Sequence, residues 1–126
     1  MEPEIIWSND DSELVILASE PQVTLARGRF APGQTPAGRH VHHEHVDSFY
    51  VLEGTMTFEV GPDADRVVVE AGGSIAIPPG VAHSFLNDSG ADATVLNIHA
   101  PDAGFGEFMR GIRDGGAVEW DQHPAP

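Results

Sequence analysis

Short stretches in which apolar and polar residues alternate recur along most of the chain, and turn-forming residues separate them. In residues 55–60, Met56, Phe58 and Val60 would lie on one face of a strand while the polar residues between them lie on the other. Comparable strands are predicted at residues 14–18, 23–30, 49–52, 66–70, 74–77, 81–87 and 94–100. About eight to ten short strands at regular spacing are typical of an antiparallel β-sandwich or barrel.

A helical pattern occurs once, near the C-terminus. Residues 104–113 carry apolar side chains at helical spacing, among them Phe105, Phe108 and Met109, and Asp102 precedes them as a candidate N-cap. We expect the apolar stripe of this helix to cover an open edge or the base of the barrel.

The length of 126 residues indicates one ordinary domain with room for a single hydrophobic core. We expect the core at about residues 13–100, an N-terminal arm at about 1–12, and the helix and tail at about 101–126. The arm is expected either to be poorly ordered or to pair with a neighbour. In the tail, Trp120 alone indicates packing.

Acidic residues dominate the charge. Twenty acids against six basic residues give a formal net charge of −14 at pH 7, which opposes binding to nucleic acid and to anionic membranes. No apolar run approaches the ~20 residues needed to span a bilayer, and residues 1–4 are acidic where a signal peptide is basic. We therefore expect a cytoplasmic protein without nucleic-acid or membrane partners. The chain has no cysteine, so disulfides and thiolate ligands are excluded.

Four of the seven histidines lie between positions 40 and 45, directly ahead of an apolar run. Side chains alternate along a strand, so His40 and His42 are predicted to project to the same side. Residues 43–46 can form a short loop, which would bring the carboxylate of Asp47 close to the two imidazoles. Imidazole and carboxylate without thiolate favour iron, manganese, nickel, copper or zinc over calcium. Taken alone, the segment is also compatible with a polar loop of solvated histidines.

Two spaced motifs make the prediction more specific. The first consists of a histidine pair, a carboxylate and a glycine: His40-x-His42, four residues, Asp47, six residues, Gly54. The second consists of turn residues, a histidine and an asparagine: Gly72, five residues, Pro78-x-Gly80, two residues, His83, three residues, Asn87. In this order, with a predicted hairpin between them, they resemble the two motifs of the cupin superfamily, and the chain resembles a small single-domain cupin. Asp47 stands where that family usually has Glu.

The resemblance implies an all-β fold, an antiparallel double-stranded β-helix (jelly-roll) barrel followed here by the short C-terminal helix. It implies one divalent transition metal, without deciding among Fe, Mn, Ni, Cu and Zn, and no organic cofactor. The metal ligands that it implies are His40, His42, Asp47 and His83. Three imidazoles and one carboxylate leave two octahedral positions for water, dioxygen or a bidentate substrate. Asn87 is expected to have a structural role.

The other histidines are predicted to be less important. His43 and His45 form a rival pair, but only Val46 separates them from Asp47, so both are expected to be solvated or at the rim. His45 could still approach the mouth of the site as a proton carrier. His99 could face either the pocket or solvent, and the tail residue His123 is expected to be inert. An apolar pocket interior is predicted from Phe49, Val51, Met56, Phe58 and Phe85.

Several functions remain compatible with these features. The cupin resemblance implies dioxygenases, isomerases, cyclases and decarboxylases, and an open histidine and carboxylate site suits dioxygen with a chelating substrate. The scarcity of basic residues argues against phosphorylated sugars. We therefore expect a metal-dependent oxidoreductase of the dioxygenase type, acting on a neutral or weakly acidic small organic molecule, with its catalytic residues unassigned. The alternatives are a non-catalytic sensor or accessory module and a metal-dependent isomerase or cyclase. A homodimer is expected, as is common among small cupins.

Overall fold

A computed structural model describes residues 1–116 and 118–126 of the chain. Within these residues, turns at the predicted positions separate short antiparallel strands, and one helix follows the last long strand. The elements are β1 (Glu4–Ser8), β2 (Ser12–Glu20), β3 (Val23–Phe30), β4 (Ala37–Val41), β5 (Val46–Glu53), β6 (Thr55–Val60), β7 (Asp65–Glu70), β8 (Ser74–Ile77), β9 (His83–Leu86), β10 (Ala93–Ala100), α1 (Phe105–Asp114) and β11 (His123–Pro124).

The strands form two antiparallel sheets that face one another. The first has the order β1-β2-β3-β10-β5-β8, and the second has the order β11-β4-β9-β6-β7. Neighbours far apart in sequence, such as β3 with β10 and β6 with β9, fold the chain into a double-stranded β-helix. The predicted all-β jelly-roll barrel with a short C-terminal helix is therefore confirmed.

The inner faces of both sheets bury one apolar cluster, as the alternating pattern predicts. Phe49 and Val51 of β5 and Met56 and Phe58 of β6 are at most 2% exposed. Phe85 is partly buried and packs against the same cluster. All five residues predicted for the interior therefore lie there.

A second apolar cluster joins the N-terminus to the helix. Ile6 of β1 packs with residues of β2 and β3 and with Phe105 and Met109 of α1. The first strand pairs with β2 of its own chain, so residues 4–8 of the expected N-terminal arm form part of the larger sheet. Through Phe105 and Met109 the helix packs against β1, β2 and β3. No helix in the described part of the chain has the length and apolar character needed to cross a membrane.

The start of the helix differs slightly from the prediction. Gly104, with φ 96°, is the N-cap residue, and Asp102 lies two residues earlier. The Asp102 carboxylate nevertheless accepts the backbone N–H groups of Gly104 (3.0 Å) and Gly106 (3.1 Å). It therefore satisfies free donors of the first turn from outside the helix.

The C-terminal tail is more structured than the sequence indicates. Besides Trp120, which packs against the second cluster, the short strand β11 pairs with β4. The paired positions are His123 with Val41 and Pro124 with His40. The tail thereby lies beside the strand that carries the first of the clustered histidines.

Candidate metal centre

The four residues of the two motifs converge between the sheets. His40 lies on β4 and is paired with His83, the first residue of β9. His42 follows the end of β4, and Asp47 lies on β5 of the opposite sheet. All four side chains are buried, and one potential ligand atom from each lies within 4.8 Å of the others. The structure thus brings together the residues that the motifs select. That they bind a metal remains a prediction.

Backbone carbonyl groups determine the tautomers of the three imidazoles. The Nδ1 atoms of His40 and His83 lie 2.6 and 2.9 Å from the carbonyl oxygens of Gly38 and Val81. In His42, Nδ1 lies 2.6 Å from the carbonyl oxygen of residue 121. A carbonyl oxygen can only accept, so each Nδ1 must carry the proton and each neutral ring presents a lone pair at Nε2.

The Asp47 carboxylate faces these lone pairs. Its Oδ2 lies 3.2 Å from Nε2 of His42 and 3.1 Å from Nε2 of His83. Its Oδ1 accepts a hydrogen bond from Nδ2 of Asn97 (2.7 Å). In the neutral Nδ1-protonated tautomers no proton lies between the imidazole and carboxylate atoms, so their approach is repulsive unless a cation compensates it, either a metal ion or an added proton on one ring.

Two distances between donor atoms match those expected around a transition-metal ion. Ligand atoms about 2.1 Å from one ion and at right angles to each other lie about 3 Å apart. The distances of 3.1 and 3.2 Å between imidazole nitrogens and Oδ2 match that edge. The shorter side chain of Asp47, compared with the usual glutamate, therefore still reaches the cluster.

Burial also sets the protonation states that a metal requires. Burial lowers the pKa of His40 to about 4, although its hydrogen bond to Gly38 acts in the opposite direction. Burial by itself raises the pKa of Asp47, but hydrogen bonds from the His42 and His83 rings, which require a proton on Nε2, outweigh it and hold this pKa below its usual range. At neutral pH the centre therefore presents a neutral imidazole of His40 and an ionised carboxylate, as metal ligation requires.

A second polar network, which the sequence did not predict, adjoins this cluster. His45 is only 1% exposed, so the expectation of a solvated or rim position is wrong. Its Nδ1 lies 2.7 Å from Oδ2 of Asp121, and its Nε2 lies 2.8 Å from Nδ1 of His99. His99 in turn donates from Nε2 to Oδ1 of Asn97 (2.9 Å), whose amide contacts Asp47. The network therefore runs from the tail to a candidate ligand.

The remaining histidines have different environments. His99 is 2% exposed and lines the pocket, which decides between the two orientations left open by the sequence. Burial lowers its pKa to about 4, against the attraction of Asp47. His43 is exposed, as predicted, and stacks on His123 with ring centroids 4.1 Å apart. His123 also contacts Asp121 (3.1 Å), so it belongs to the ordered tail.

An apolar cleft leads to the cluster. Aromatic and aliphatic side chains form most of its wall, and neither arginine nor lysine is among the described residues that line it. Its polar lining consists of three of the four clustered residues, His40, His42 and Asp47, together with Asn97, His99 and Gln122. The apolar wall consists of Trp7, Leu14, Phe30, Pro36, Ala37, Phe49, Phe85, Val95, Phe105, Met109 and Trp120.

Fold and site together define a double-stranded β-helix domain whose barrel encloses a cluster of three histidines and one aspartate able to hold a metal ion. A family model described as "Cupin domain" matches residues 26–99. The chain therefore belongs to the cupin family. The matched segment contains all four clustered residues and ends before the helix and tail.

The chain is similar in sequence to a protein named as a transcriptional regulator. The chain is 29% identical over 111 residues to the HTH-type transcriptional regulator PuuR of Escherichia coli (strain K12). This match covers 79% of the chain and 58% of the regulator, so the chain spans little more than half the length of that relative.

Solved structures share the fold. KdgF from Halomonas sp. superposes with a TM-score of 0.67 at 18% identity, covering 78% of this chain and 87% of that chain. A sugar phosphate isomerase from Silicibacter pomeroyi DSS-3 superposes with a TM-score of 0.66 at 24% identity, covering 79% of this chain and 71% of that chain. At these identities the likeness shows the fold alone.

Proposed function

We propose that the domain binds one divalent transition metal through His40, His42, Asp47 and His83. The observation that carries this proposal is the convergence of three Nε2 lone pairs and a carboxylate, with each Nδ1 proton directed to a backbone carbonyl. Such an arrangement is unfavourable by itself and is stabilised by a cation. The metal is Fe, Mn, Ni, Cu or Zn, which suit these ligand types.

We further propose that the bound metal serves a reaction of the oxidoreductase class, of the dioxygenase type. A redox-active metal held there would supply Lewis acidity and electron transfer to a substrate in the cleft. Asn97 holds one oxygen of Asp47 and so leaves the other to face the imidazoles. The aromatic wall excludes water from the reacting groups and strengthens the local electrostatic interactions.

The cleft favours a neutral or weakly acidic small organic molecule. All six basic residues lie outside its lining. Those on the helix pair with acids, as Arg110 does with Glu4 (3.0 Å). A phosphorylated substrate requires cationic partners, which the lining lacks. An enol, diketone or catechol-like molecule can instead chelate the metal and place its carbon skeleton against the apolar wall.

Oxygen consumption tests this reaction class. We expect metal-loaded protein to consume dioxygen with at least one member of a panel of diketones and phenolics, after separate loading with ferrous, nickel and copper ions. His83→Gln, which removes a ligand on β9, should abolish the uptake, whereas Glu70→Gln on exposed β7 should preserve it. Absence of uptake under every loading would contradict the oxidoreductase proposal.

A second candidate function is a non-catalytic sensor or accessory module. The similarity to PuuR favours it, because the name of that relative describes a helix-turn-helix regulator and the match covers 58% of its length. In this role the cleft would bind a small molecule and the domain would report its presence. The net charge of −14 opposes direct contact of this domain with DNA, so the absence of nucleic-acid binding remains our prediction.

Metal hydration distinguishes the two functions. An enzyme of the proposed type needs open metal positions, so water-proton relaxation on the manganese-loaded protein should reveal exchangeable water. A sensor could instead hold its metal with every position filled. Slow exchange, together with ligand-induced thermal stabilisation but no turnover, would favour the sensor.

A further inference from the structure

Asp121 lies outside the matched cupin segment and yet contacts the candidate metal centre. Its carbonyl oxygen accepts the Nδ1 proton of His42 at 2.6 Å. Its side chain is buried, with 7% of the residue exposed. The pairing of β11 with β4 anchors the residues that follow it beside the ligand strand.

The carboxylate of Asp121 binds the turn between β4 and β5. Oδ1 accepts the backbone N–H of His43 (2.9 Å), and Oδ2 accepts the backbone N–H of Glu44 (2.7 Å). Oδ2 also lies 2.7 Å from Nδ1 of His45. Burial by itself raises the pKa of Asp121, but the two backbone N–H groups outweigh it and hold this pKa below its usual range. The bonds are therefore charge-assisted hydrogen bonds.

The same residue reaches a second candidate ligand indirectly. From Asp121 the network continues through His45 and His99 to Asn97, and the Asn97 amide donates to Oδ1 of Asp47. One buried side chain of the tail thereby connects to candidate ligands from both sheets.

We propose that Asp121 is a positioning residue of the metal centre. Its main-chain oxygen determines the tautomer and direction of the His42 ring, and its carboxylate holds the turn from which that ring projects. The proposal rests on the proposed function in assuming that the four clustered residues bind metal. It adds that the family segment, residues 26–99, is incomplete as a metal site without the tail.

Metal affinity of the full chain tests this role. Asp121→Asn keeps the shape but removes the charge and one acceptor, so we expect zinc and cobalt to bind about 10-fold to 100-fold more weakly. Competition with a chromophoric chelator gives the affinity, and the visible spectrum of the cobalt-loaded protein reports the ligand geometry. Asp121→Glu should recover part of the affinity because it restores the charge.

Asp102→Asn is the matched control. Asp102 also accepts two backbone N–H groups and contacts Thr24, but it serves the start of α1 instead of the cluster. We expect this variant to lower the melting temperature of the metal-free protein while preserving metal affinity and the cobalt spectrum.

Nitrogen NMR provides a readout that needs no metal. In the metal-free wild type the His42 ring should be the Nδ1-protonated tautomer, and Asp121→Asn should increase the Nε2-protonated fraction.

Three outcomes would contradict the proposal. Wild-type affinity, spectrum and tautomer in a folded Asp121→Asn protein would overturn the positioning role alone. Equal weakening of affinity in both variants would overturn it as well, because general destabilisation would then account for the effect. No metal binding by the wild type would overturn the proposed function together with this inference.

Discussion

Asp47 is the anion on which the candidate centre depends. It is 2% exposed, and its two oxygens have different partners, Asn97 on one side and the imidazoles of His42 and His83 on the other. A buried carboxylate in contact with neutral rings is costly unless a cation compensates its charge. The residue therefore needs a compensating cation, which a bound metal would supply.

Buried histidines make the metal-free protein sensitive to acid. The pKa values of His40 and His99 are lowered by burial from 6.5 to about 4, and burial also lowers that of His45. The unfolded chain binds protons first as the pH falls below 6.5. The free energy of unfolding should therefore decrease between pH 6.5 and pH 4, by up to about 1.4 kcal/mol per pH unit for each histidine.

Urea denaturation of the metal-free protein at several pH values measures this slope. Asp47 should add a further loss as the pH falls below 3.8, because its pKa is lowered in the folded state. His99→Gln should make the dependence shallower, and His43→Gln, at an exposed position, provides the comparison. A free energy of unfolding that stays constant from pH 7 to pH 4.5 would contradict the assigned burial of these rings.

At the scale of elements, the site is built where three segments meet. The pairing of β4 with β9 places His40 opposite His83, and β5 brings Asp47 from the other sheet. The helix closes the cleft with Phe105 and Met109. None of these segments holds the cluster alone, so the site depends on the closure of the whole barrel.

A substitution at Gly54, in the turn between β5 and β6, tests the close packing that closes the barrel. Its φ of 74° lies in the left-handed region, and a Cβ there would overlap the carbonyl oxygen of Asp92. Gly61 has a similar φ of 86°, but a Cβ would meet nothing within 4 Å. Gly54→Ala should therefore lose about 1–3 kcal/mol more stability than Gly61→Ala, because overlap adds to backbone strain. Equal losses, measured by urea denaturation, would contradict the close approach.

Much of the fold could be predicted because alternation directly encodes strand faces. The faces of Phe49 and Phe58 and the helix near Phe105 followed from local spacing, and the motif spacing selected the four clustered residues. The N-cap of the helix is Gly104 and not Asp102, a detail that depends on one left-handed residue.

The side chains of the second polar network were not predicted for a common physical reason. His45 was expected to be solvated because only Val46 separates it from Asp47, and its partner Asp121 lies 76 residues away in sequence. Pairings of that sequence separation leave no periodic signal in a tail rich in Gly and Pro. For Asn97 and His99, strand alternation placed both side chains on one face of β10. Alternation alone does not decide whether that face points inward.

Charge at the scale of the whole molecule separates the surface from the cleft. The net charge is −14, and arginines such as Arg66, which lies beside Asp88 (3.1 Å), are on the surface. The cleft retains an apolar wall and leads to the candidate metal centre. A bound divalent metal would thus be the main positive charge available to a weakly acidic ligand.

Association of two copies is expected through the edge of the larger sheet. β1 is an edge strand whose outer backbone groups have no sheet partner among the described residues, and Ile5 is 59% exposed. Light scattering should give twice the chain mass of 13.4 kDa. Ile5→Lys should shift the mass towards the monomer, whereas Ile112→Lys, on the 52% exposed helix position, should not. A monomeric wild type would contradict the expectation.

The central claim is that three histidines and an aspartate bind one transition metal. Elemental analysis of protein purified without a histidine tag tests it most directly, alongside His42→Ala and Asp47→Ala. We predict close to one metal per chain in the wild type, loss in His42→Ala, and weakened retention in Asp47→Ala because the only anionic ligand is removed. A wild-type protein that binds no metal even after reconstitution would contradict the claim and favour the small-molecule sensor.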